Sequence, residues 1–186
     1  NDYDAEGGDD LMSQNAAVDR NAGAGGFDWA FHQYDTVGGD DDMEINNNLV
    51  GVPIQLVVNR DRWQEVEADS GSNFNDVIKG HEVAPSTLGG AGFTGCNALD
   101  PTGVARIAGL NRLVSTFPSA LAPIVASSAA GYCPLTGQGG TTTGTGTVWA
   151  EGDILLGGGG SDTITGRGAD DVIDGDHAVS VRISYR

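Results

Sequence analysis

Residues 157–174 read Gly-Gly-Gly-Gly-Ser-Asp-Thr-Ile-Thr and then Gly-Arg-Gly-Ala-Asp-Asp-Val-Ile-Asp, two nine-residue units with Asp sixth and Ile eighth. Acid and glycine at this spacing are the materials of a calcium site. Calcium takes six to eight hard oxygen ligands. Carboxylates supply some of them, and glycines let the chain turn tightly at positive φ so that backbone carbonyls converge on a point. The candidate ligands here are Asp162 and Asp171, with the backbone of Gly157, Gly159, Gly166 and Gly168 around them. The Ile of each unit is expected to point inward from a very short strand whose neighbours face solvent.

The same phase runs back along the chain. One unit before Asp162 lies Asp153, with Leu155 at the inward place. Asn1, Asp10, Asp19 and Asp28 follow one another at intervals of nine, although the unit of Asp19 lacks glycines. A further turn, Gly71-Ser72-Asn73-Phe74-Asn75-Asp76, carries Asp76, and Glu67 sits one unit earlier. Two units make one coil, so acids two units apart are expected to share an edge and an ion. That pairs Asp10 with Asp28 and Asp153 with Asp171. It pairs Asp76 with Asp162 if the chain between them returns without a register shift. The pattern predicts a mainly β fold, a calcium-binding parallel β-roll, with ions between stacked turns replacing much of a hydrophobic core. The competing reading is a disordered, acidic, glycine-rich linker. Inward Ile, Leu and Val at matching places argue against it.

The elements between the repeats are less regular. The 39 residues from Asp28 to Glu67 are not a multiple of nine, so residues of about 31–66 are expected to leave the roll. There Gln55-Leu56-Val57-Val58 reads as a strand and Asn46-Asn47-Asn48 as a turn. Asp40-Asp41-Asp42 reads as a solvated loop, with an extra cation site as the alternative. Residues 81–147 form a longer insert. Asp100-Pro101 suits a helix start, with Val104, Ile107, Ala108 and Leu110 as its apolar face. A second helix is expected from Ser119, carrying Leu121, Ile124 and Val125. The run from Gly137 to Thr147 reads as a flexible loop. Three segments result: 1–80 and 148–186 as the two parts of the roll, and 81–147 between them.

The chain has 186 residues and a formal charge of −17, with 9 basic against 26 acidic residues. Nucleic-acid binding through a basic patch is excluded on that balance, and the acid excess reads as a demand for cations. No apolar run is long enough to span a membrane. The chain begins inside a repeat, and both ends read as boundaries within a longer protein. Cys96 and Cys133 are expected to close one disulfide within the insert, with two buried thiols as the alternative. Other chemistry finds little support. Asp69-Ser70-Gly71-Ser72 matches the short aspartic-protease signature, but no second copy exists. Asp100-Pro101 could be a self-cleaving bond, yet a helix N-terminus explains it. His32, His81 and His177 read as surface or turn residues, and Trp29, Trp63 and Trp149 as packing residues. The segment is read as non-enzymatic.

Gly23-Ala-Gly-Gly-Phe-Asp-Trp-Ala-Phe31, Asp2-Tyr-Asp-Ala-Glu-Gly-Gly-Asp-Asp-Leu-Met12 and Asn59-Arg-Asp-Arg-Trp63 are more particular than the generic repeat. Together they resemble the RTX (haemolysin-type calcium repeat) region of large secreted bacterial haem peroxidases of the animal type, some of which are linked to manganese oxidation. The resemblance covers roughly residues 1–80 and 150–186. It implies calcium binding at the matching acids, type I secretion and a place beside other domains of a parent protein. It does not bring peroxidase activity to this segment. Asp69 departs from the pattern, standing where the inward side chain is usually Leu. The function expected is therefore a calcium-binding structural module that folds on calcium binding after export. The alternative is an adhesin or matrix module that recognises a glycan or surface through the insert.

Overall fold

Short strands follow from the nine-residue period, because a turn interrupts every run of extended backbone. The computed structural model describes residues 1–45, 61–82, 99, 101–115, 122–125, 145–148 and 152–182. In chain order the first strands are β1 (Asp2–Asp4), β2 (Leu11–Ser13), β3 (Arg20–Ala22), β4 (Trp29–Phe31) and β5 (Asp40–Asp42). Then come β6 (Arg62–Gln64), β7 (Ala68–Ser70) and β8 (Val77–Lys79), two helices α1 (Pro101–Arg106) and α2 (Leu110–Ser115), and β9 (Ala122–Val125). The chain continues through β10 (Thr145–Val148), β11 (Ile154–Leu156), β12 (Thr163–Thr165) and β13 (Val172–Asp174).

The fold is mainly β, with parallel sheets and few helices. A five-stranded sheet runs β13-β11-β7-β4-β2, and two three-stranded sheets run β1-β3-β6 and β12-β8-β5. The chain alternates between them, so that β1 leads to β2, β3 to β4, β6 to β7 and β12 to β13. Asp2 stands opposite Arg20, Leu11 opposite Trp29 and Ile154 opposite Val172, the interval of two repeat units. Longer steps keep the register: Trp29 faces Ala68, Ala68 faces Ile154, and Val77 faces Thr163. The insert therefore leaves and returns in phase.

The excursion expected over about 31–66 is narrower than the spacing suggested. Asp40–Asp42 is not a solvated loop but strand β5, paired in parallel with β8, and Arg62–Gln64 is paired with β3. The jump of phase is absorbed by strand order: β6 joins β3, whereas β5, earlier in the chain, joins β8. The strand expected at Gln55–Val58 and the turn at Asn46–Asn48 lie outside the described residues.

Two apolar layers hold the sheets. The inner one is built from strand centres on both sides: Met12, Ala30 and Leu155 from the five-stranded sheet meet Trp63 and Ile78 from the others, with Met43 and Val66. The outer one covers the far face of the five-stranded sheet, where Trp29, Phe31, Ala68, Ile154, Leu156 and Val172 pack against Leu99, Val104 and Leu110 of the insert and Val179. The five-stranded sheet is thus buried on both faces. Its two edge strands are the exceptions, with Leu11 of β2 46% exposed. Ile173 of β13, expected to point inward, is 44% exposed, and among the described residues no strand pairs with the far side of β13.

Pro101 opens α1 as the dipeptide predicts, and Gly109, at φ +94°, separates α1 from α2. The helix expected from Ser119 is not formed at Ala122–Val125. That segment is a strand, paired antiparallel with Thr145–Val148, which was expected to lie in or beside a loop. Pro123 would fall beyond the first turn of such a helix, where it costs a hydrogen bond. Ile124, Val125, Thr145, Thr147 and Val148 are β-branched and suit a pleated surface. Cys96, Cys133 and Trp149 lie outside the described residues. No helix among those described is long and apolar enough to cross a membrane.

The two layers give a contrast that can be measured. Ile78 is fully buried at a strand centre, so Ile78→Ala should cost about 2–5 kcal/mol. Ile173→Ala at the open end should cost less than about 1 kcal/mol. Denaturant unfolding in excess calcium would check both values.

Candidate metal centres

The repeat acids line up at the strand entrances. Asp10, Asp28, Glu67, Asp153 and Asp171 each precede a strand of the five-stranded sheet. Asp19, Asp61, Asp76 and Asp162 precede strands of the three-stranded sheets. Five of these nine carboxylates accept a backbone N–H from the equivalent residue of the neighbouring coil. Asp10 N–H donates to Asp28 Oδ1 at 2.9 Å, Asp28 N–H to Glu67 Oε2 at 2.8 Å, and Asp153 N–H to Asp171 Oδ1 at 2.9 Å. On the other edge Asp76 N–H donates to Asp162 Oδ1 at 2.9 Å and Asp19 N–H to Asp61 Oδ1 at 2.7 Å. The three expected pairs are therefore neighbours. The partner of Asp19, Asp61, was not among the expected ligands.

Glycine at the first place of a unit makes room for the acid at the sixth. A Cβ on Gly157 would stand 2.5 Å from Asp162 Oδ2, and one on Gly71 would stand 2.8 Å from Asp76 Oδ2. At Gly23, Gly80 and Gly166 the added carbon would collide with Asp28, Asp153 and Asp171 in turn. Carbonyls complete the recess: Gly157 O lies beside Gly71, and Gly175 O beside Gly157. Gly80 plays this part for Asp153 although the whole insert separates them. Gly159 and Gly168 do something else. Their N–H groups donate to Ser72 O at 2.9 Å and His81 O at 3.1 Å, tying one turn to the next.

Burial makes Asp28, Glu67 and Asp171 costly to ionise. Asp19, Asp28, Glu67, Asp76 and Asp153 are all at most 1% exposed, whereas Asp10, Asp162 and Asp171 are half-buried. Burial, with Asp10 and Asp9 nearby, pushes Asp28 up to about 8. Burial and then Asp28 push Glu67 well above the carboxylate range, and burial raises Asp171. Asp28 Oδ2 and Glu67 Oε1 are buried and have no hydrogen-bond partner among the described residues. Oxygens of this kind, beside glycine recesses and carbonyls, fit a hard cation.

A second cluster was not anticipated. His32, directly after β4, is 2% exposed, and His81 is 5% exposed, so neither is a surface residue. His32 Nδ1 is 2.9 Å from Asp35 Oδ2, and its Nε2 is 3.5 Å from Asp41 Oδ2 and 3.6 Å from Asp69 Oδ1. Burial by itself lowers the His32 pKa. Asp41, the Asp35 hydrogen bond and Asp69 outweigh it and carry the imidazole up to about 10. Burial raises Asp41 and pushes Asp61 and Asp69 up to about 6. His81 Nδ1 instead meets Asp153 Oδ1 at 2.9 Å. In the sequence, Asp69, polar at an inward place, and the alternative reading of Asp40-Asp41-Asp42 as a cation site pointed this way, and nothing pointed to His32. His177 lies on the surface, as expected.

The sign of the pH effect follows. Asp28, Asp61 and Asp69 hold protons more tightly folded than unfolded, so they favour folding at low pH and lose that contribution as pH rises through about 6 to 8. His32 acts in the same direction at higher pH. In chelator, the folded fraction measured by circular dichroism should fall between pH 5 and pH 8, and a saturating divalent cation should flatten the profile. Comparison with known proteins adds no assignment: no protein-family model, no curated protein and no solved structure matches this chain.

Proposed function

We propose that this chain is a calcium-binding structural module, a parallel β-roll of the RTX type within a larger secreted protein, that folds when calcium fills its turns after export. The observation that carries this reading is the stacking of repeat acids on two edges, with Asp28, Asp76, Asp153, Asp162 and Asp171 each beside a glycine recess. Asp10, Asp28 and Glu67 would hold ions on one edge near the start of the stack, with Asp153 and Asp171 further along it. Asp76 and Asp162 would hold ions on the other edge, with Gly157 O and Gly175 O as carbonyl neighbours. Calcium supplies two positive charges and accepts many oxygen ligands at flexible geometry.

The chain's own residues explain why folding would wait for the ion. Its formal charge of −17 opposes compaction, and a good part of that charge lies along the two edges. Cytoplasmic calcium is low, so the chain would stay unfolded for passage. Outside, binding would be coupled to folding. A site at hundredfold excess over its dissociation constant contributes about 2.7 kcal/mol, so several sites together would decide the equilibrium. The described helices of the insert place Val104 and Leu110 on the sheet, so that part of their apolar surface serves the fold.

Calcium titrated into the metal-free protein should convert a disordered circular dichroism spectrum to a β spectrum and raise the melting temperature. Magnesium should do so poorly, since it sheds water reluctantly. Gly157→Ala should move the midpoint to at least about tenfold higher calcium, a loss of about 1.4 kcal/mol or more, because its Cβ occupies the Asp162 recess. Asp176→Asn should leave it unchanged, since that acid is exposed and belongs to neither row of stacked acids. A spectrum and melting temperature indifferent to calcium would refute the reading.

A further inference from the structure

We propose that this chain carries a metal site of a second class, for a divalent first-row transition ion, formed by His32 Nε2 with the carboxylates of Asp41 and Asp61 and with Asp69 beside them. The site draws its residues from all three parallel sheets. Asp41 and Asp69 are strand centres, of β5 and β7, which in a regular coil would be apolar. His32 follows β4, and Asp61 precedes β6. One ligand atom from each of His32, Asp41 and Asp61 falls within 4.8 Å of the others.

The spacing favours an ion over a set of hydrogen bonds. His32 Nε2 stands 3.5 Å from Asp41 Oδ2 and 3.6 Å from Asp69 Oδ1. A hydrogen bond would bring these atoms to about 2.7–3.2 Å. Two ligands each about 2.1 Å from one ion sit about 3–4 Å apart. The atoms concerned are also unsatisfied: His32 Nε2, Asp41 Oδ2 and both carboxylate oxygens of Asp69 are buried with no hydrogen-bond partner among the described residues. Four such atoms converging in one interior is costly unless something binds them.

The far side of the ring is arranged for the same purpose. His32 Nδ1 meets Asp35 Oδ2 at 2.9 Å, which holds the ring and leaves Nε2 for the ion. His32 N–H also donates to Ser70 O at 2.8 Å, fixing the backbone against β7. An imidazole among carboxylates suits manganese, iron, cobalt or zinc, whereas calcium is served by oxygen alone. Entry is provided by a pocket of about 490 Å³ that has His32, Asp35, Asp41 and Asp61 on its wall.

Cobalt(II) and zinc(II) added separately to the full chain in millimolar calcium would test this. One equivalent of either should stay bound through desalting, with cobalt giving visible d–d absorption. His32→Gln should lose that equivalent and the absorption while keeping its calcium-dependent dichroism, and His177→Gln should keep both. Should His32→Gln fail to fold, Asp61→Asn carries the same expectation. On the unmodified chain, electron spin-echo modulation from ¹⁴N should appear on bound manganese(II). Displacement of the ion by calcium, retention of it by His32→Gln, or a manganese spectrum without nitrogen would each overturn the proposal.

Discussion

Like charges stacked at the spacing of a β-sheet are the constraint on which this molecule depends. Neighbouring strands lie about 4.8 Å apart. Two carboxylates at that distance repel by about 3 kcal/mol at an effective dielectric constant of 20. Asp28 and Glu67, both fully buried, are neighbours of this kind, and buried Asp76 has half-buried Asp162 as its neighbour on the other edge. Backbone N–H groups of the adjacent coil offset part of the repulsion. Burial first, and neighbouring carboxylates after it, still raise the pKa values of Asp28 and Glu67. Either protons or cations must supply the rest.

The turns are shaped by the same stack. Gly158 and Gly160 have φ of +90° and +116°, and one unit later Arg167 and Ala169 take up φ of +72° and +75° in the same places. Glu6 and Ala24 do likewise in the N-terminal turns, at +67° and +68°. A residue with a Cβ pays about 1–2 kcal/mol for that conformation. Local preference is therefore overruled by the register of the coils. Arg167 turns the arrangement to use: its guanidinium holds Asp42 through Nη1 at 2.6 Å and Nη2 at 2.9 Å, joining the last coil to β5.

Much of this was legible in the sequence because repeat spacing is local. The phase of Asp10, Asp28, Asp153 and Asp171 follows from counting, and their edge pairing matches the hydrogen bonds. The His32 cluster could not be counted out. It is assembled by steps of 39 residues from β4 to β7 and 37 from the β5 entrance to Asp76, which no nine-residue phase connects. Asp41 therefore read as part of a solvated loop, although a strand partner buries it to 3% exposure. The insert failed for a different reason. Apolar residues at Leu121, Ile124 and Val125 fit a helical spacing as well as a short strand, and pairing with Thr145–Val148 decided the outcome.

The most direct measurement is a crystal structure of the calcium-loaded chain with anomalous diffraction recorded at a wavelength where calcium scatters strongly. Anomalous peaks should lie between stacked turns along both edges, within coordination distance of carboxylates among Asp10, Asp28, Glu67, Asp76, Asp153, Asp162 and Asp171. Peaks confined to exposed acids such as Asp2, Asp170 and Asp176, with none between the turns, would contradict the account.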